Sequence, residues 1–252
     1  MSGHSKWSQI KRQKGVTDHK RGQLFTKLGR EISVAARKGG GDPGSNFQLR
    51  LAVQKARDSN MPMDNIDRAI KKGAGGTEAT SLAEVTYEGY GPGGMAVIVN
   101  ALSDNRNRTA SEIRSTFTKA GGNLGETGSV GWLFDNRGVI TLEAAKVAPD
   151  EIALCAIDAG AEDIKIEDQA VEVYTRPEDL EKVRKALEAQ NVTVVSAELS
   201  MIPKTTVAID EKHALQALKL MEKLEALDDV QQVYSNADFP NEVLAKYQSD
   251  GD

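Results

Sequence analysis

The sequence of 252 residues is poor in the side chains that build redox, covalent or metal sites. It contains one cysteine, Cys155, and three histidines. One cysteine permits no internal disulfide and no zinc site made of several cysteines. The histidines are scattered and show no His-Glu-x-x-His spacing, and no Gly-x-Ser-x-Gly nucleophile motif is present. We therefore predict no metal, no cofactor and no catalytic residue. Cys155 lies among apolar residues, which favours a buried structural thiol over a nucleophile.

Long apolar runs are also missing. No stretch approaches the roughly 20 apolar residues that a membrane span needs, and residues 1–15 lack the apolar core of a secretory signal peptide. Hydrophobic residues make up 39% of the chain and charged residues 27%, which is typical of a soluble globular protein. We expect a cytoplasmic protein with no membrane partner and no small-molecule substrate.

Charge is distributed very unevenly along the chain. Residues 1–76 contain 16 Lys and Arg against 6 Asp and Glu, whereas residues 77–252 contain 16 against 31. The formal net charge of −5 therefore hides a basic segment of +10 followed by an acidic segment of −15. This pattern predicts that the first segment contacts a polyanion while the second keeps the protein soluble.

The basic segment is predicted to be a bundle of three helices. Leu24, Leu28 and Ile32 recur at helical spacing in the first, which ends before the glycines that begin at Gly39. The second helix covers about Phe47–Ser59, and the third has Pro62 in its first turn. The segment also offers candidate phosphate contacts and one aromatic ring that could stack on a base. They are Lys6, Trp7, Lys11, Arg12, Lys14, Lys20, Lys27, Arg30 and Arg37. The alternative is an ordinary solvated charged surface.

The acidic segment alternates predicted strands and helices. Residues 138–202 follow the order β-α-β-β-α-β of a ferredoxin-like unit, and β-α-β pieces at 95–134 and 205–235 together make a second. The fold class is therefore α+β in three domains: a basic helical bundle and two ferredoxin-like domains, one inserted in the other. The boundaries are 1–77 for the bundle, 78–135 with 204–240 for the split domain, and 136–203 for the inserted domain.

Three glycine- or arginine-containing segments have two interpretations each. Gly89–Gly94 matches the dinucleotide motif G-x-G-x-x-G, but a strand follows it, which favours a hairpin turn with Tyr90 exposed at its tip. Gly121–Ser129 lacks the Gly-Lys pair of a P-loop. It is predicted to be a flexible loop, and the alternative is a loop that closes around an RNA or protein surface. Arg106 and Arg108 begin a helix, where they either hold phosphate or pair with carboxylates of the acidic segment.

Several motifs together resemble the YebC-type family, over nearly the whole chain and most specifically in residues 1–135. These motifs are Gly3–Trp7, Lys20–Leu28, Gly39–Pro43, Asn60–Pro62, Tyr87–Gly94, Asp104–Thr109, Gly121–Gly125 and Ser200–Pro203. The resemblance implies a basic helical domain followed by two α/β domains, one inserted in the other. It also implies a transcriptional regulator that binds DNA, or a translation factor like the mitochondrial activator of cytochrome c oxidase subunit I. It supplies no catalytic residues.

The sequence thus predicts a non-enzymatic, nucleic-acid-binding regulator of gene expression. DNA is the partner that the resemblance favours. A factor associated with the ribosome, binding ribosomal or messenger RNA, is the second hypothesis, because no recognition helix of the helix-turn-helix kind is evident and RNA can be recognised by shape and stacking. A protein-interaction module built on the acidic segment is the third hypothesis.

Overall fold

The structure, a computed structural model, describes residues 18–75, 82–143, 149–167 and 170–249. Lys6, Trp7, Lys11, Arg12 and Lys14 lie outside the described residues. Within these ranges the protein has a mixed α+β fold, as predicted. No helix in the described ranges is both long and apolar enough to cross a membrane.

Three helices, which we call the head, open the described chain: α1 (Asp18–Gly39), α2 (Phe47–Asp58) and α3 (Met63–Ala74). They confirm the predicted helices to within a few residues. Apolar side chains at helical spacing, among them Ile32, Leu49 and Ile66, are fully buried between them. Asn46 joins two of the helices, because its side chain accepts from Leu49 N at the start of α2 and donates to Ala35 O on α1.

Residues 82–133 and 204–249 contribute to one antiparallel sheet and its helices. The strands are β1 (Ala83–Tyr90), β2 (Ala96–Ser103), β3 (Asn123–Leu124) and β9 (Val230–Ser235), arranged in the order β3-β1-β2-β9. Helices α4 (Arg106–Lys119) and α7 (Glu211–Glu225) bury Phe117 and Leu220 against one face. Two short strands, β8 (Val207–Ala208) and β10 (Ala237–Asp238), pair beside this sheet, and α8 (Asn241–Ser249) follows.

The second sheet lies within residues 134–203. Its strands are β4 (Phe134–Glu143), β5 (Asp163–Glu167), β6 (Ala170–Thr175) and β7 (Val194–Pro203), all antiparallel in the order β5-β6-β4-β7. Helices α5 (Pro149–Ala159) and α6 (Leu180–Ala189) connect them and bury Ile152 and Leu187 in its core. Phe47 and Leu51 of the head pack against the same core. The head therefore packs against the second sheet through α2.

The sequence pattern also predicts strands of the first sheet at residues 130–134 and 206–209; the former is wrong, and the latter forms as β8 but lies outside that sheet. Residues 130–134 do not form a strand, because Gly131–Leu133 is a turn of 3-10 helix and Phe134 begins β4 instead. The amides of Val130 and Gly131 donate to the Glu88 carboxylate, so they are not available for a sheet ladder. The predicted strand at residues 206–209 pairs with β10 outside the sheet. The edge strand beside β1 is β3, so part of Gly121–Ser129 is a strand and not a loop.

The motif at Gly89–Gly94 is a hairpin turn, as predicted. It joins β1 to β2 through a short 3-10 turn at Pro92–Gly94, and Gly91 N donates to Met95 O at 2.8 Å. Gly93 and Gly94 both have positive φ, at 71° and 76°, which glycine adopts without strain. A strand, not a helix, follows the turn, so it offers no helix N-terminus to a dinucleotide phosphate.

Candidate nucleic-acid interface

The predicted cationic edge of α1 faces the acidic part of the chain. Lys27 Nζ donates to Glu225 O at 2.5 Å, Arg30 Nη1 donates to Asp228 O at 2.9 Å, and Arg37 Nη2 donates to Leu82 O at 2.5 Å. For Lys20 the structure describes the backbone alone. The three described cations of the predicted set therefore hold the head to the first sheet and its helices, a use that sequence reasoning did not foresee.

Asp229 joins two predicted site residues that are far apart in sequence. Its Oδ1 accepts from Arg30 Nη1 at 3.0 Å, and its Oδ2 accepts from Arg108 Nη2 at 2.9 Å and Thr109 Oγ1 at 2.6 Å. Burial raises the pKa of Asp229, but the hydrogen bonds from Thr109 and Arg108 and the charge of Arg30 outweigh it and lower the pKa below its ordinary value. The side chain is 5% exposed, so it is a buried junction between the head and the first sheet.

Arg108 pairs with carboxylates in the structure, which is one of its two predicted uses. Its guanidinium pairs with Asp104 at 2.8 Å and with Asp229, so carboxylates of the acidic segment are its partners. Arg106 differs. Its side chain is exposed, it makes no ion pair with a described carboxylate, and its backbone oxygen accepts from Tyr87 Oη at 3.2 Å. Both side chains are exposed, and of the two only Arg108 forms ion pairs with described carboxylates.

A cationic groove runs between α1, α3 and the start of β1. Its cavity volume is about 510 Å³, and four cations line it: Arg30, Arg37, Arg68 and Lys72. Asp104 is the one carboxylate in the lining, and Asn65, Ser33 and Thr26 add neutral hydrogen-bonding groups. A concave site with walls of one charge sign concentrates its electrostatic field, which attracts anions. We call this site the basic groove.

Arg68 and Lys72 are the groove residues that sequence reasoning missed. They lie one turn apart on α3, both are exposed, and neither has an ion-pair partner among the described residues. The signal was present in the sequence, because Asn65, Arg68 and Lys72 follow one another at spacings of three and four and so share one helix face. That face lies beside the buried one that carries Ile66 and Gly73.

Few described side chains offer chemistry beyond electrostatics. No group of three or more His, Cys, Asp or Glu residues that could hold a metal occurs in the parts of the chain that the structure describes. Cys155 is partly buried, and its Sγ points to Ala186 O at 3.8 Å. The thiol is thus packed between α5 and α6, which agrees with a structural role.

These features define a class of protein: a cationic helical head attached to an acidic α+β body. The N-terminal domain of TACO1/YebC proteins matches residues 5–76, and their second and third domains match residues 82–237. The chain therefore belongs to the TACO1/YebC family.

Full-length relatives are close in sequence. The "Probable transcriptional regulatory protein DET0444" of Dehalococcoides mccartyi is 59% identical over 249 residues, which are 99% of each chain. A "Probable transcriptional regulatory protein" of Roseiflexus castenholzii is 57% identical over 99% of this chain and all of its own. Among solved structures, the conserved hypothetical protein Aq1575 of Aquifex aeolicus superposes with a TM-score of 0.82 at 49% identity. That match covers 88% of this chain and 92% of the other.

Proposed function

We propose that this protein is a non-enzymatic, nucleic-acid-binding regulator of gene expression that holds its polymer through the cations of the head. The observation that carries the proposal is the basic groove, in which four cations face one carboxylate. Arg68 and Lys72 are the main phosphate contacts in this proposal, because neither forms an ion pair with a carboxylate among the described residues. Arg30 and Arg37 line the same groove but also hold the head to the first sheet.

DNA is the polymer that we propose first. The relatives from Dehalococcoides mccartyi and Roseiflexus castenholzii both carry the name of probable transcriptional regulators. Phosphate contacts supply affinity but little sequence information, so the proposal assigns the head a role in holding DNA and leaves base recognition to other residues. Lys6, Lys11, Arg12 and Lys14, which lie outside the described residues, stay proposed as further phosphate contacts.

RNA is a second candidate, and the shape of the basic groove favours it. A DNA major groove is read by a protruding helix or β-ribbon that enters it, whereas the cations here line a concavity between two helices and a strand. A concavity of this kind receives a single sugar-phosphate strand more readily than a duplex. Single-stranded loops of ribosomal or messenger RNA offer such strands, which suits a translation factor that acts on the ribosome.

The proposal includes the arrangement that the sequence predicted. We propose three domains, a head of residues 1–77, a split domain of residues 78–135 and 204–240, and an inserted domain of residues 136–203, with both α/β domains ferredoxin-like. The β-α-β-β-α-β order of the second sheet and its strand order support this for the inserted domain. We also propose that the protein acts in the cytoplasm.

Removal of the groove cations tests the role of the head. We expect Arg68→Ala with Lys72→Ala to weaken binding of duplex DNA and of single-stranded RNA, and to reduce the slope of log affinity against log salt by about 2. The matched control is Arg57→Ala with Lys71→Ala, which removes the same charge from exposed head positions outside the groove. Equal effects of the two double variants would contradict a role specific to the groove.

Competition between the two polymers separates the candidates. The full-length protein is sedimented with ribosomes at physiological salt in the presence of excess duplex DNA. If the DNA keeps the protein in the supernatant, the result supports the transcriptional role. If the protein pellets with ribosomes despite the DNA, translation becomes its primary proposed role. A protein that binds neither polymer contradicts both.

A further inference from the structure

Two exposed aromatic rings at one end of the first sheet share a single hydrogen-bond acceptor. Tyr90, the last residue of β1, donates from Oη to Ser129 O at 3.2 Å, and Trp132 Nε1 donates to the same oxygen at 3.1 Å. Their exposed fractions are 40% and 65%. Tryptophan side chains are highly buried on average, so an indole held in one orientation with two-thirds of its surface in water indicates a binding role.

The buried carboxylate of Glu88 accepts hydrogen bonds from the backbone of the loop that carries Trp132 and so fixes that loop. Glu88 accepts from Gly128 N at 2.8 Å, Val130 N at 2.8 Å and Gly131 N at 2.6 Å, and it is 6% exposed. Val130 is fully buried in the core below the loop. The orientation of the indole is therefore set before any partner arrives, which lowers the entropic cost of binding.

The faces of the two rings, and not their polar atoms, are available to a partner. Ser129 O already accepts from both the phenol and the indole, so each ring presents apolar faces to solvent. Asn123 lies directly opposite Tyr90 in the antiparallel pairing of β3 with β1, and opposed residues share one face of a sheet. Asn123 is exposed, and its amide supplies donors and an acceptor beside Tyr90.

We propose that Tyr90, Asn123 and Trp132 form a platform that binds an unpaired nucleobase of a single-stranded nucleic acid. Stacking on the rings and a hydrogen bond to Asn123 are the two interactions by which proteins recognise unstacked bases. The platform belongs to residues 77–252, which carry a formal charge of −15, so we assign the base to it and the phosphates to the head. The base is the uncharged part of the polymer. This inference rests on the proposed function and assigns base contact to the acidic body.

Paired oligonucleotides with and without bases test the platform. The full-length protein is titrated with a labelled 20-nucleotide RNA and with an abasic strand of the same length and charge. We expect Trp132→Ala to weaken binding of the base-containing strand about five- to a hundredfold and to leave the abasic strand unaffected. Trp132→Phe retains most of the affinity, because a phenyl ring still stacks. The matched control is Leu154→Ala, which removes a side chain of equal exposed fraction from α5.

Three outcomes contradict the platform. If Trp132→Ala binds the base-containing strand as tightly as the wild type, the platform is overturned. It is also overturned if this variant loses affinity for both strands equally. Both results leave the role of the head intact. Arg68→Ala with Lys72→Ala should weaken both strands, because it removes phosphate contacts. A wild type that binds neither strand overturns the platform together with the proposed function.

Fluorescence gives a second measurement that needs no change at the platform. The chain has two tryptophans, so Trp7→Phe leaves Trp132 as the sole indole emitter. We expect the base-containing strand to quench its emission with the same midpoint as the binding curve, while the abasic strand leaves it unchanged. Bound RNA that leaves the emission unchanged would contradict stacking on Trp132.

Discussion

Asp228 and Asp229 are neighbours in sequence with different roles. The side chain of Asp228 is exposed, and only its backbone oxygen accepts from Arg30. The carboxylate of Asp229 is buried and accepts from Arg30, Arg108 and Thr109. Sequence reasoning could not distinguish the two, because burial depends on how the head packs on the first sheet.

We therefore expect Asp229→Asn to lower the free energy of unfolding by about 1–3 kcal/mol, since hydrogen bonds to a charged group are lost and the ion pairs of Arg30 and Arg108 with this carboxylate are removed. Urea unfolding followed by circular dichroism measures the change. Asp228→Asn is the control and should change stability by less than about 0.5 kcal/mol. Equal effects of the two substitutions would contradict the assignment of Asp229 as the junction residue.

The buried carboxylate of Glu88 makes stability depend on pH. Burial raises its pKa, but the three backbone donors of the loop outweigh burial and lower the pKa below the ordinary value of 4.5. A lowered native pKa contributes stability that is fully present above the unfolded pKa and is lost as the pH falls through the native pKa. This contribution is therefore complete at pH 7 and declines below about pH 4.5.

Glu88→Gln tests this dependence. The amide NH₂ would face backbone donors, so we expect about 1–3 kcal/mol less stability at pH 7 and a smaller loss of stability between pH 5 and pH 3. Urea midpoints across that pH range supply the measurement. Glu126→Gln, an exposed substitution in the same loop, should reproduce the wild-type profile. A Glu88→Gln profile parallel to the wild type would show that another group carries the pH dependence.

Helices α1 and α3 pack closely because α3 has a glycine at their contact. A Cβ added at Gly73 would lie 2.2 Å from Ser33 O and 2.9 Å from Ala36 Cβ on α1. Gly22, also helical, has no atom within 4 Å of the position its Cβ would take. The same substitution should therefore have opposite effects at the two positions.

We expect Gly73→Ala to destabilise the head by about 1–3 kcal/mol through overpacking. Gly22→Ala should stabilise it by about 0.5–1 kcal/mol, because alanine favours the helical state. Thermal unfolding of the two variants measures both signs. A Gly73→Ala protein that melts like the wild type would mean that α1 and α3 can separate without cost.

Elements with a regular apolar period were predictable from the sequence, and those fixed by a single distant side chain were not. The three head helices follow from the spacing of residues such as Ile32 and Ile66. The turn at Gly131–Leu133 does not follow from any local pattern. It exists because Glu88, more than 40 residues earlier, takes the amides that a strand would use. The pairing of β3 with β1 is likewise set by tertiary contact.

At the scale of the whole molecule, part of the candidate site was predictable from the sequence and part was not. Charge asymmetry predicted which segment carries the cations, and that segment does contain the basic groove. The charge asymmetry could not predict which of these cations would form hydrogen bonds with the acidic body. Lys27, Arg30 and Arg37 all donate to backbone oxygens of the body, whereas Arg68 and Lys72 remain directed to solvent. The partition depends on the docking of the head, a property of the folded molecule.

This partition predicts that Arg30 and Arg68 have separable roles. Arg30→Ala removes hydrogen bonds to Asp228 O and Asp229 Oδ1, and we expect it to lower the free energy of unfolding by about 1–2 kcal/mol. Arg68→Ala should leave stability within about 0.5 kcal/mol of the wild type and reduce the salt slope of polyanion binding by about 1.

Urea unfolding and salt-dependent binding are measured on both variants, because each variant then serves as the control for the other. A stability loss confined to Arg30→Ala, with the larger change in salt slope for Arg68→Ala, is the expected pattern. The reverse pattern would mean that α3 holds the head in place and that the edge of α1 meets the nucleic acid. That result would return the phosphate contacts to Lys27, Arg30 and Arg37, where the charge pattern alone had placed them.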